Sequence, residues 1–243
     1  MRRATRILLA ILAVYGLLGV SPASAEWYIM GYAGLALPNN EDIDVNSTVN
    51  GASVVGTLQN VNFTDYHGTS VVFGGKVGYF FGPAPPSFGV EVEGYHFTPD
   101  AGAQRVNFSG SGSGTVLGVP VTGSGPFDLV AKIDMVVTGI ALNVIWRPIP
   151  GAFQPYVGVG GVAAIGELAV AAEGISDTDV AAGFQALVGL EWLPTPNLGI
   201  FIEYKFLQTT NFEFNSTVGG ASTSLKFDMT ANMFYGGIAW HFR

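Results

Sequence analysis

The chain contains few residues that could act as nucleophiles, general bases or metal ligands. It has no cysteine and only three histidines in 243 residues. Asp65, His67 and His96 could meet, because the start of one predicted strand would neighbour the end of the next. An Asp–His pair beside a hydroxyl, such as that of Thr69 or Ser70, could activate an oxygen nucleophile for acyl transfer.

Two observations speak against this catalytic interpretation. The spacing of the three residues matches no hydrolase motif, and His96 shares strand parity with the apolar Val90 and Val92. The third histidine, His241, stands alone near the end of the chain. Two histidines with loop carboxylates give no metal-ligand spacing, and Gly158–Gly161 lacks the helix that a phosphate-binding loop requires. We therefore predict no catalytic residue, no metal site and no cofactor.

Charged residues are sparse, yet several fall in the middle of segments that alternate in polarity. They make up 12% of the chain. Ile200 and Ile202 occupy one face of such a segment, whereas Glu203 and Lys205 occupy the other. A buried charge persists only when it is paired, so we predict an ion-pair network inside the fold. Its expected members are Lys76, Glu91, Glu93, Arg147, Glu191, Glu203 and Lys205.

Eight segments after residue 25 have the alternation of β-strands, and none has a helical period. They are Trp27–Leu37, Thr69–Phe80, Phe88–Thr98, Lys132–Arg147, Gln154–Val170, Val180–Trp192, Leu198–Phe212 and Ser224–Phe242. The longer segments exceed the about 9–11 residues that a tilted strand needs to cross a bilayer. A hairpin around Val54–Phe63 would raise the number of strands from eight to ten.

The connections between these segments alternate in kind. The short, proline-rich ones are 81–87, 148–151 and 194–197, and proline presets a turn. The longer, polar ones are 38–67, 99–130, 171–179 and 213–223. Within the second of these, the loop Phe108–Gly125 includes the run Ser109–Gly114, which alternates serine with glycine. That composition predicts a flexible loop, which either binds a partner or is mobile without a ligand. Short turns on one side and long loops on the other are typical of transmembrane β-barrels.

The first 25 residues have the pattern of a secretory signal peptide. Three arginines precede the apolar run Ile7–Val20, and Ala23-Ser24-Ala25 supplies a cleavage site of small residues. An apolar run of 14 residues is too short to span a bilayer comfortably, which disfavours the alternative of an N-terminal anchor helix. We predict that residues 1–25 are removed and that residues 26–243 form one barrel domain.

The four tryptophans all fall at the same end of the predicted strands. Trp27 opens the first strand, Trp146 and Trp192 precede short turns, and Trp240 lies just before the C-terminus. Tryptophan favours the boundary between membrane and water, where its ring is in an apolar environment and its N–H reaches water. We therefore predict an aromatic girdle. The alternative, four unrelated core tryptophans in a β-sandwich, would place them in the middle of strands.

The last predicted strand ends in aromatic residues, which suits a closing strand that must pair with the first one inside lipid. With the signal peptide, Pro155–Gly161 and Tyr235–Phe242, the chain resembles the small eight-stranded outer-membrane barrels. That group includes the OmpA transmembrane domain and the opacity-type porin-like proteins. The resemblance implies an all-β, eight-stranded antiparallel up-and-down barrel with short periplasmic turns and long external loops. It also implies an assembly signal at Phe242, although Arg243 follows that residue.

These features predict a location in the Gram-negative cell outer membrane and leave three functions open. The first is a structural or surface-interaction role: membrane integrity, adhesion or recognition through the external loops. Its partners would be outer-membrane lipid, the barrel-assembly machinery and a host or surface ligand. The second is a narrow porin-like channel or a conduit for small apolar solutes. The third, a lipid A-modifying acyl hydrolase, rests on the Asp65, His67 and His96 grouping alone. A net charge of −8 argues against nucleic acid as a partner.

Overall fold

All the regular elements that the computed structural model describes are β-strands. The structure describes residues 26–49, 52–62, 70–82, 86–99, 101–102, 104–116, 119–129, 133–170, 175–218 and 221–242. No helix among these residues is long and apolar enough to cross a membrane. Residues 1–25, the predicted signal peptide, lie outside the described residues, so that assignment stays a prediction.

Fifteen strands run through the described residues, and valine, isoleucine, phenylalanine, tyrosine and threonine, which favour extended chain, are frequent in them. In chain order they are β1 (Glu26–Pro38), β2 (Glu41–Val49), β3 (Ala52–Val61), β4 (Ser70–Phe80), β5 (Ser87–Phe97), β6 (Gln104–Val116), β7 (Val119–Thr122), β8 (Gly125–Leu129), β9 (Ile133–Arg147), β10 (Phe153–Val170), β11 (Ile175–Trp192), β12 (Leu198–Thr209), β13 (Phe212–Val218), β14 (Ala221–Phe227) and β15 (Thr230–Phe242).

Eight of these strands close into an antiparallel barrel, in the order β1, β4, β5, β9, β10, β11, β12, β15 and back to β1. The ring closes because β15 pairs with β1 from Trp27 opposite Phe242 to Pro38 opposite Ala231. The prediction of an eight-stranded up-and-down barrel is therefore confirmed. Closure leaves the ring without a free sheet edge, which is the condition for strands to span lipid.

Six of the predicted barrel strands have bounds within three residues of those observed, and two differ more. β11 begins at Ile175 rather than Val180. Residues 175–179, the described part of the predicted loop 171–179, are therefore strand. β15 begins at Thr230 rather than Ser224, because Asp228 and Met229 interrupt the strand. Ser224 instead belongs to β14. Alternation of polarity continues through both strands, so the sequence pattern could not show the break between them.

A second sheet lies at the end of the barrel opposite the short turns. Its order is β13, β14, β2, β3, β6 and β7, and β8 pairs with the first part of β6. Each of the first five strands of this sheet is next in the chain to one barrel strand: β13 to β12, β14 to β15, β2 to β1, β3 to β4 and β6 to β5. Those barrel strands are neighbours in the same order, β12, β15, β1, β4 and β5. The second sheet therefore continues the barrel wall, and we call it the extension.

The extension corrects two predictions about the long connections. The predicted flexible loop Phe108–Gly125 contains most of β6 and all of β7, and the first connection contains the hairpin of β2 and β3. That hairpin matches the possibility of extra strands around Val54–Phe63, but it pairs within the extension and leaves eight strands in the barrel. Glycine and serine obscured β6 because both residues are uncommon in isolated strands, whereas neighbouring strands hold them extended here.

Polarity reverses between the barrel and the extension. In the barrel, Ile202 points outward with 65% of its surface exposed, whereas Glu203 points inward and is 4% exposed. In the extension, Phe212 and Phe214 are buried inside while Asn215 is exposed outside. Apolar side chains face outward only where the surroundings are apolar, so the reversal separates a lipid-facing wall from a water-facing wall. The predicted orientation, with apolar residues outside and charges within, is confirmed for the barrel.

Candidate functional sites in the barrel and its extension

Five charged side chains meet at mid-height in the lumen, and we call them the central cluster: Lys76, Glu91, Glu93, Glu203 and Lys205. Strands β4, β5 and β12 bring them together, and each is almost completely buried. The Nζ atom of Lys76 donates to both carboxylate oxygens of Glu203 at 2.8 and 2.7 Å and lies 3.4 Å from Oε1 of Glu91. Lys205 forms an ion pair with Glu93. Sequence parity alone had placed all five residues in one interior.

Tyrosine and amide side chains complete the hydrogen bonding of the three carboxylates. Tyr28 donates to Glu91 at 2.9 Å and Tyr156 donates to Glu203 at 2.8 Å. The remaining donors are Tyr32 to Glu93, Tyr235 to Glu203, Asn143 to Glu91 and Gln185 to Glu93. Multiple donors offset the desolvation of buried carboxylates. The sequence analysis did not predict these tyrosine and amide residues as members of the network. Strand alternation nevertheless places each of them on the inward face, as it does the charged residues of the same strand or of a neighbouring strand.

Two glycines make room for the tyrosine rings in this narrow lumen. A methyl group on Gly78 would overlap the ring of Tyr28, and one on Gly189 would overlap the ring of Tyr156. Each ring thus lies flat against the backbone of a neighbouring strand. Glycine at these two inward positions permits this close approach.

A second group, the turn-end cluster, lies nearer the short turns and consists of Glu26, Arg147, Gln154, Glu191 and His241. Arg147 donates to Glu26 at 3.0 Å and to Gln154 at 2.8 Å. His241 lies between two carboxylates, with Nε2 at 2.7 Å from Glu191 and Nδ1 at 2.5 Å from Glu26. Carboxylate oxygens beside both ring nitrogens suit the doubly protonated, cationic ring.

The turn-end cluster corrects the expectation that His241 is alone. Arg147 and Glu191 were expected in the lumen, but Glu26, Gln154 and His241 were not. A signal was present, because His241 shares inward parity with Tyr235 and Glu26 shares it with Tyr28. The partners lie on strands that are distant in sequence, so parity gives the face but not the contact.

Apolar side chains fill the lumen beyond the central cluster. Val72, Phe97, Met135, Leu207 and Met233 are buried there, beneath the apolar inner face of the extension. Phe212 of β13 reaches across to β9 and β10, since a methyl group on Gly166 would meet both its ring and Met135. The described lumen is thus filled by two charged clusters and an apolar layer, as expected for a barrel of eight strands.

The proposed catalytic grouping is not assembled by the described residues. His96 faces outward, with Nδ1 3.2 Å from the Thr138 hydroxyl, whereas Ser70 is buried on the inward face and accepts a hydrogen bond from the Thr98 amide. Asp65, His67 and Thr69 lie outside the described residues. Among the residues that the structure describes, no group of three or more histidine, aspartate or glutamate side chains could hold a metal ion.

The four tryptophans lie on the outward face near the short turns, each between 40% and 47% exposed. Tyr79 contacts Trp27, Phe88 contacts Trp146 and Phe153 contacts Trp192, with ring centroids 4.9 to 6.3 Å apart. Phe242 is also outward, opposite Trp27. This arrangement has the geometry of an aromatic girdle. The girdle's contact with the membrane boundary and the role of Phe242 as an assembly signal stay predictions.

A seam runs along the wall where β11 passes β13. The ladder between β11 and β12 ends at Gly183 opposite Thr209. Beyond that point two carboxylates of β11 replace the backbone ladder: Asp179 accepts from the Glu213 amide at 2.8 Å, and Asp177 accepts from the Asn215 amide at 2.6 Å. We call these two hydrogen bonds the latch.

Comparison with known proteins gives the family but little more. A family model described as the outer membrane protein beta-barrel domain matches residues 10–242. Similar solved structures include the outer membrane protein OprG from Pseudomonas aeruginosa, with 17% identity over 90% of this chain and 97% of that one, at a TM-score of 0.48. Ail, the attachment invasion locus protein of Yersinia pestis, has 13% identity over 90% and 99%, at a TM-score of 0.37.

The outer membrane protease OmpT from Escherichia coli has 11% identity over 91% of this chain and 98% of that one, at a TM-score of 0.40. No curated protein sequence matches this chain. The family model covers nearly the whole chain, so its match does not depend on any one motif. The chain therefore belongs to the family of outer membrane protein β-barrel domains and is a transmembrane barrel of the Gram-negative outer membrane.

Proposed function

We propose that this barrel is a closed scaffold in the outer membrane, with a structural or surface-interaction role carried by its extension. The observation that carries the proposal is the filled lumen. Charged side chains in the central cluster are buried to within a few per cent of complete burial, and an apolar layer lies beyond them. Ions cross a barrel through water, and a lumen packed with side chains leaves no room for a column of water.

The form of the extension supports an interactive role. Residues from β2, β13 and β14 line a surface groove of about 330 Å³ that consists entirely of asparagine, serine and threonine side chains. Three long connections contribute strands to one ordered sheet rather than separate loops. An ordered surface loses less conformational entropy on binding than a mobile loop does, which favours recognition of a partner.

The closed scaffold is tested by recording single molecules of refolded protein in planar bilayers. We expect no current steps from the wild type. We expect none either from a variant in which Lys76, Glu91 and Glu203 are all replaced by alanine, because the turn-end cluster and the apolar layer still close the lumen on either side. Single-channel current from the wild type would contradict a closed lumen.

The interactive role needs a second measurement, made on whole cells. Replacing Asn46, Asn215 and Ser224 with glutamate adds like charges to the uncharged groove, and we expect weaker attachment of cells to host-cell or surface layers. The control places glutamate at Gln59, Ser111 and Thr122, which are exposed in the extension outside the groove; it adds the same three charges, and attachment should persist. Equal attachment by cells with and without the barrel would rule the role out.

A second candidate function, a conduit for small apolar solutes, is favoured by the seam. The inner face of the extension is apolar, and beside it the two hydrogen bonds of the latch link β13 to β11 where the described residues form no backbone ladder. Opening the latch would connect that apolar interior to the outer surface of the extension, above the lipid-facing wall of the barrel. The route would avoid the charged lumen completely.

The absence of native cysteine makes this candidate easy to test. A disulfide between Cys variants at Asp179 and Glu213 would lock the seam, and dithiothreitol would release it. A conduit predicts that oxidation stops the uptake of an apolar solute such as octane into cells and that reduction restores it. Uptake that is identical in both states would exclude the seam as the route.

A further inference from the structure

An apolar groove lies on the outward face of the barrel, across strands β1, β11, β12 and β15. Its volume is about 570 Å³, within the about 300–1,000 Å³ of small-molecule sites. The side chains that form its walls are Val188, Leu190, Ile202, Tyr204 and Phe234. The rings of Tyr204 and Phe234 touch, with centroids 4.9 Å apart, and close the end of the groove nearer the extension.

The groove spans the middle of the lipid-facing wall, and its end nearer the extension lies in the half of the membrane that faces the cell exterior. Along β15, Phe234 is six residues and Asn232 eight residues from Trp240 in the predicted girdle. At about 3.3 Å per residue and a tilt of about 40°, Asn232 lies about 20 Å above the tryptophans. The apolar band of such barrels is about 25 Å tall, so Asn232 is close to its outer border. The groove extends from just below Asn232 through the middle of the band to Leu190, which is two residues from Trp192.

Polar side chains cap the outer end of this groove. The Tyr204 hydroxyl donates to Oδ1 of Asn232 at 2.7 Å, and Nδ2 of Asn232 donates to Oδ1 of Asn39 at 3.3 Å. After these two bonds the Tyr204 oxygen can still accept a hydrogen bond and the Asn232 amide can still donate one. The cap therefore offers one acceptor and one donor, both uncharged, at the level where acyl chains join their headgroups.

We propose that the groove binds one acyl chain of the outer-leaflet glycolipid, with the amide, ester or hydroxyl at the head of that chain hydrogen-bonded to Tyr204 and Asn232. The walls require an apolar ligand, and the uncharged cap matches a neutral linkage better than a phosphate. A single flexible chain can reach the floor of the groove. A second barrel could not, because Ile202 projects from the wall of the groove at 65% exposure and would hold a flat surface away. This site is independent of the proposed function.

The experiment counts the glycolipid that stays bound to purified protein. The barrel is extracted from its own membrane with a mild detergent, and native mass spectrometry measures the number of lipid A-type molecules per chain. We expect one retained molecule for the wild type. In Gly236→Leu, whose new side chain fills the groove, we expect about a tenfold loss of retained glycolipid, since about two methylene contacts are displaced. Asn232→Ala should lose glycolipid as well, because it removes the cap.

Gly94→Leu is the control, since Gly94 is also an outward glycine of the barrel wall; a methyl group there meets nothing within 4 Å, whereas one at Gly236 lies 3.3 Å from the Phe201 carbonyl oxygen. Heat-modifiability on gels shows that each variant is folded before its lipid is counted. Retention by Gly236→Leu equal to that of the wild type would overturn the proposal, as would an equal loss in Gly94→Leu. Retention of phospholipid or free fatty acid in place of glycolipid would also overturn it, because the groove would then not select the outer-leaflet lipid.

Discussion

The Nε2 atom of His241 lies 2.7 Å from a carboxylate oxygen of Glu191, which joins the last strand of the barrel to β11 across the lumen. β12 separates these two strands in the wall, so the contact is not a neighbour pair of the sheet. The other ring nitrogen of His241 faces Glu26 at the start of β1. His241 therefore links the first and last strands of the barrel to β11 at the end nearer the short turns.

Replacement of His241 by alanine should destabilise the barrel strongly. The change leaves the buried Glu191 without its histidine partner and removes one of the two cationic partners of Glu26. We therefore expect the free energy of unfolding to fall by about 3–5 kcal/mol. Urea unfolding in lipid vesicles, followed by gel shift, measures the free energy. Ile238→Val, an outward change on the same strand, is the control and should cost less than about 1.5 kcal/mol. A loss for His241→Ala no larger than that of the control would show that the cluster is not structural.

Glu203 should be the most sensitive carboxylate of the central cluster. It accepts hydrogen bonds from Lys76, Tyr156 and Tyr235, all of them buried. Glu203→Ala leaves a buried lysine without its closest partner, and we expect a loss of about 3–5 kcal/mol. Glu213→Ala, at an exposed site in the extension, should stay within about 0.5 kcal/mol of the wild type. The same urea titration serves both variants, and similar unfolding midpoints for the two would count against a buried network.

Ile202→Arg tests which surroundings the outward face meets. An arginine near the lipid midplane of a barrel costs about 2–4 kcal/mol, whereas an arginine in water costs almost nothing. We therefore expect Ile202→Arg to lower the free energy of unfolding and Asn46→Arg, outward in the extension, to leave it unchanged. Both are measured in the same vesicles. If the two substitutions have the same effect, the border between lipid and water does not lie between them.

The sequence predicted the barrel well because two simple patterns carry most of its information. Alternation of polarity gave the strands and their faces, and the alternation of short turns with long connections gave the topology. Ile202 and Glu203 are adjacent in sequence, and their opposite placement follows from the pleat alone. For the same reason the inward face of Lys76 or Glu91 could be predicted without knowledge of its partner.

Contacts across the lumen and the extension could not be predicted in the same way. Whether His241 meets Glu191 depends on the stagger of strands around the ring, which no local pattern records. The strand β6 was hidden because its serine and glycine residues are typical of loops, and pairing with β3, β7 and β8 holds them extended. The break between β14 and β15 was missed because alternation of polarity continues through it. What changes there is which face is apolar: the inward face in the extension and the outward face in the barrel.

Removal of the latch should loosen β13 without unfolding the barrel. In the double variant Asp177→Ala and Asp179→Ala, the amides of Glu213 and Asn215 lose their charged acceptors. Hydrogen bonds to charged groups contribute about 1.5–3 kcal/mol each, so exchange of these amides should become at least about tenfold faster. Hydrogen exchange with mass spectrometry of residues 212–218 measures the rate. Ser176→Ala, an exposed change on β11, should leave this exchange rate unaltered. Unaltered rates in the double variant would mean that packing alone holds β13 against β11.

Glu41, at the base of the extension, should make stability depend on pH. Burial raises the pKa of its carboxyl above the ordinary value, although the Thr230 amide donates to it at 2.9 Å and opposes the shift. A raised pKa means that the folded state binds the proton more tightly than the unfolded state, so this stabilisation is present at low pH and is lost as pH rises through the raised pKa. Glu41→Gln keeps an acceptor for Thr230 and removes the charge. We expect it to unfold at a higher urea concentration than the wild type at about pH 7 and at the same concentration at about pH 2.5, well below the ordinary glutamate pKa of about 4.3. A variant that is less stable than the wild type at both pH values would show that the charged carboxylate is favourable where it lies.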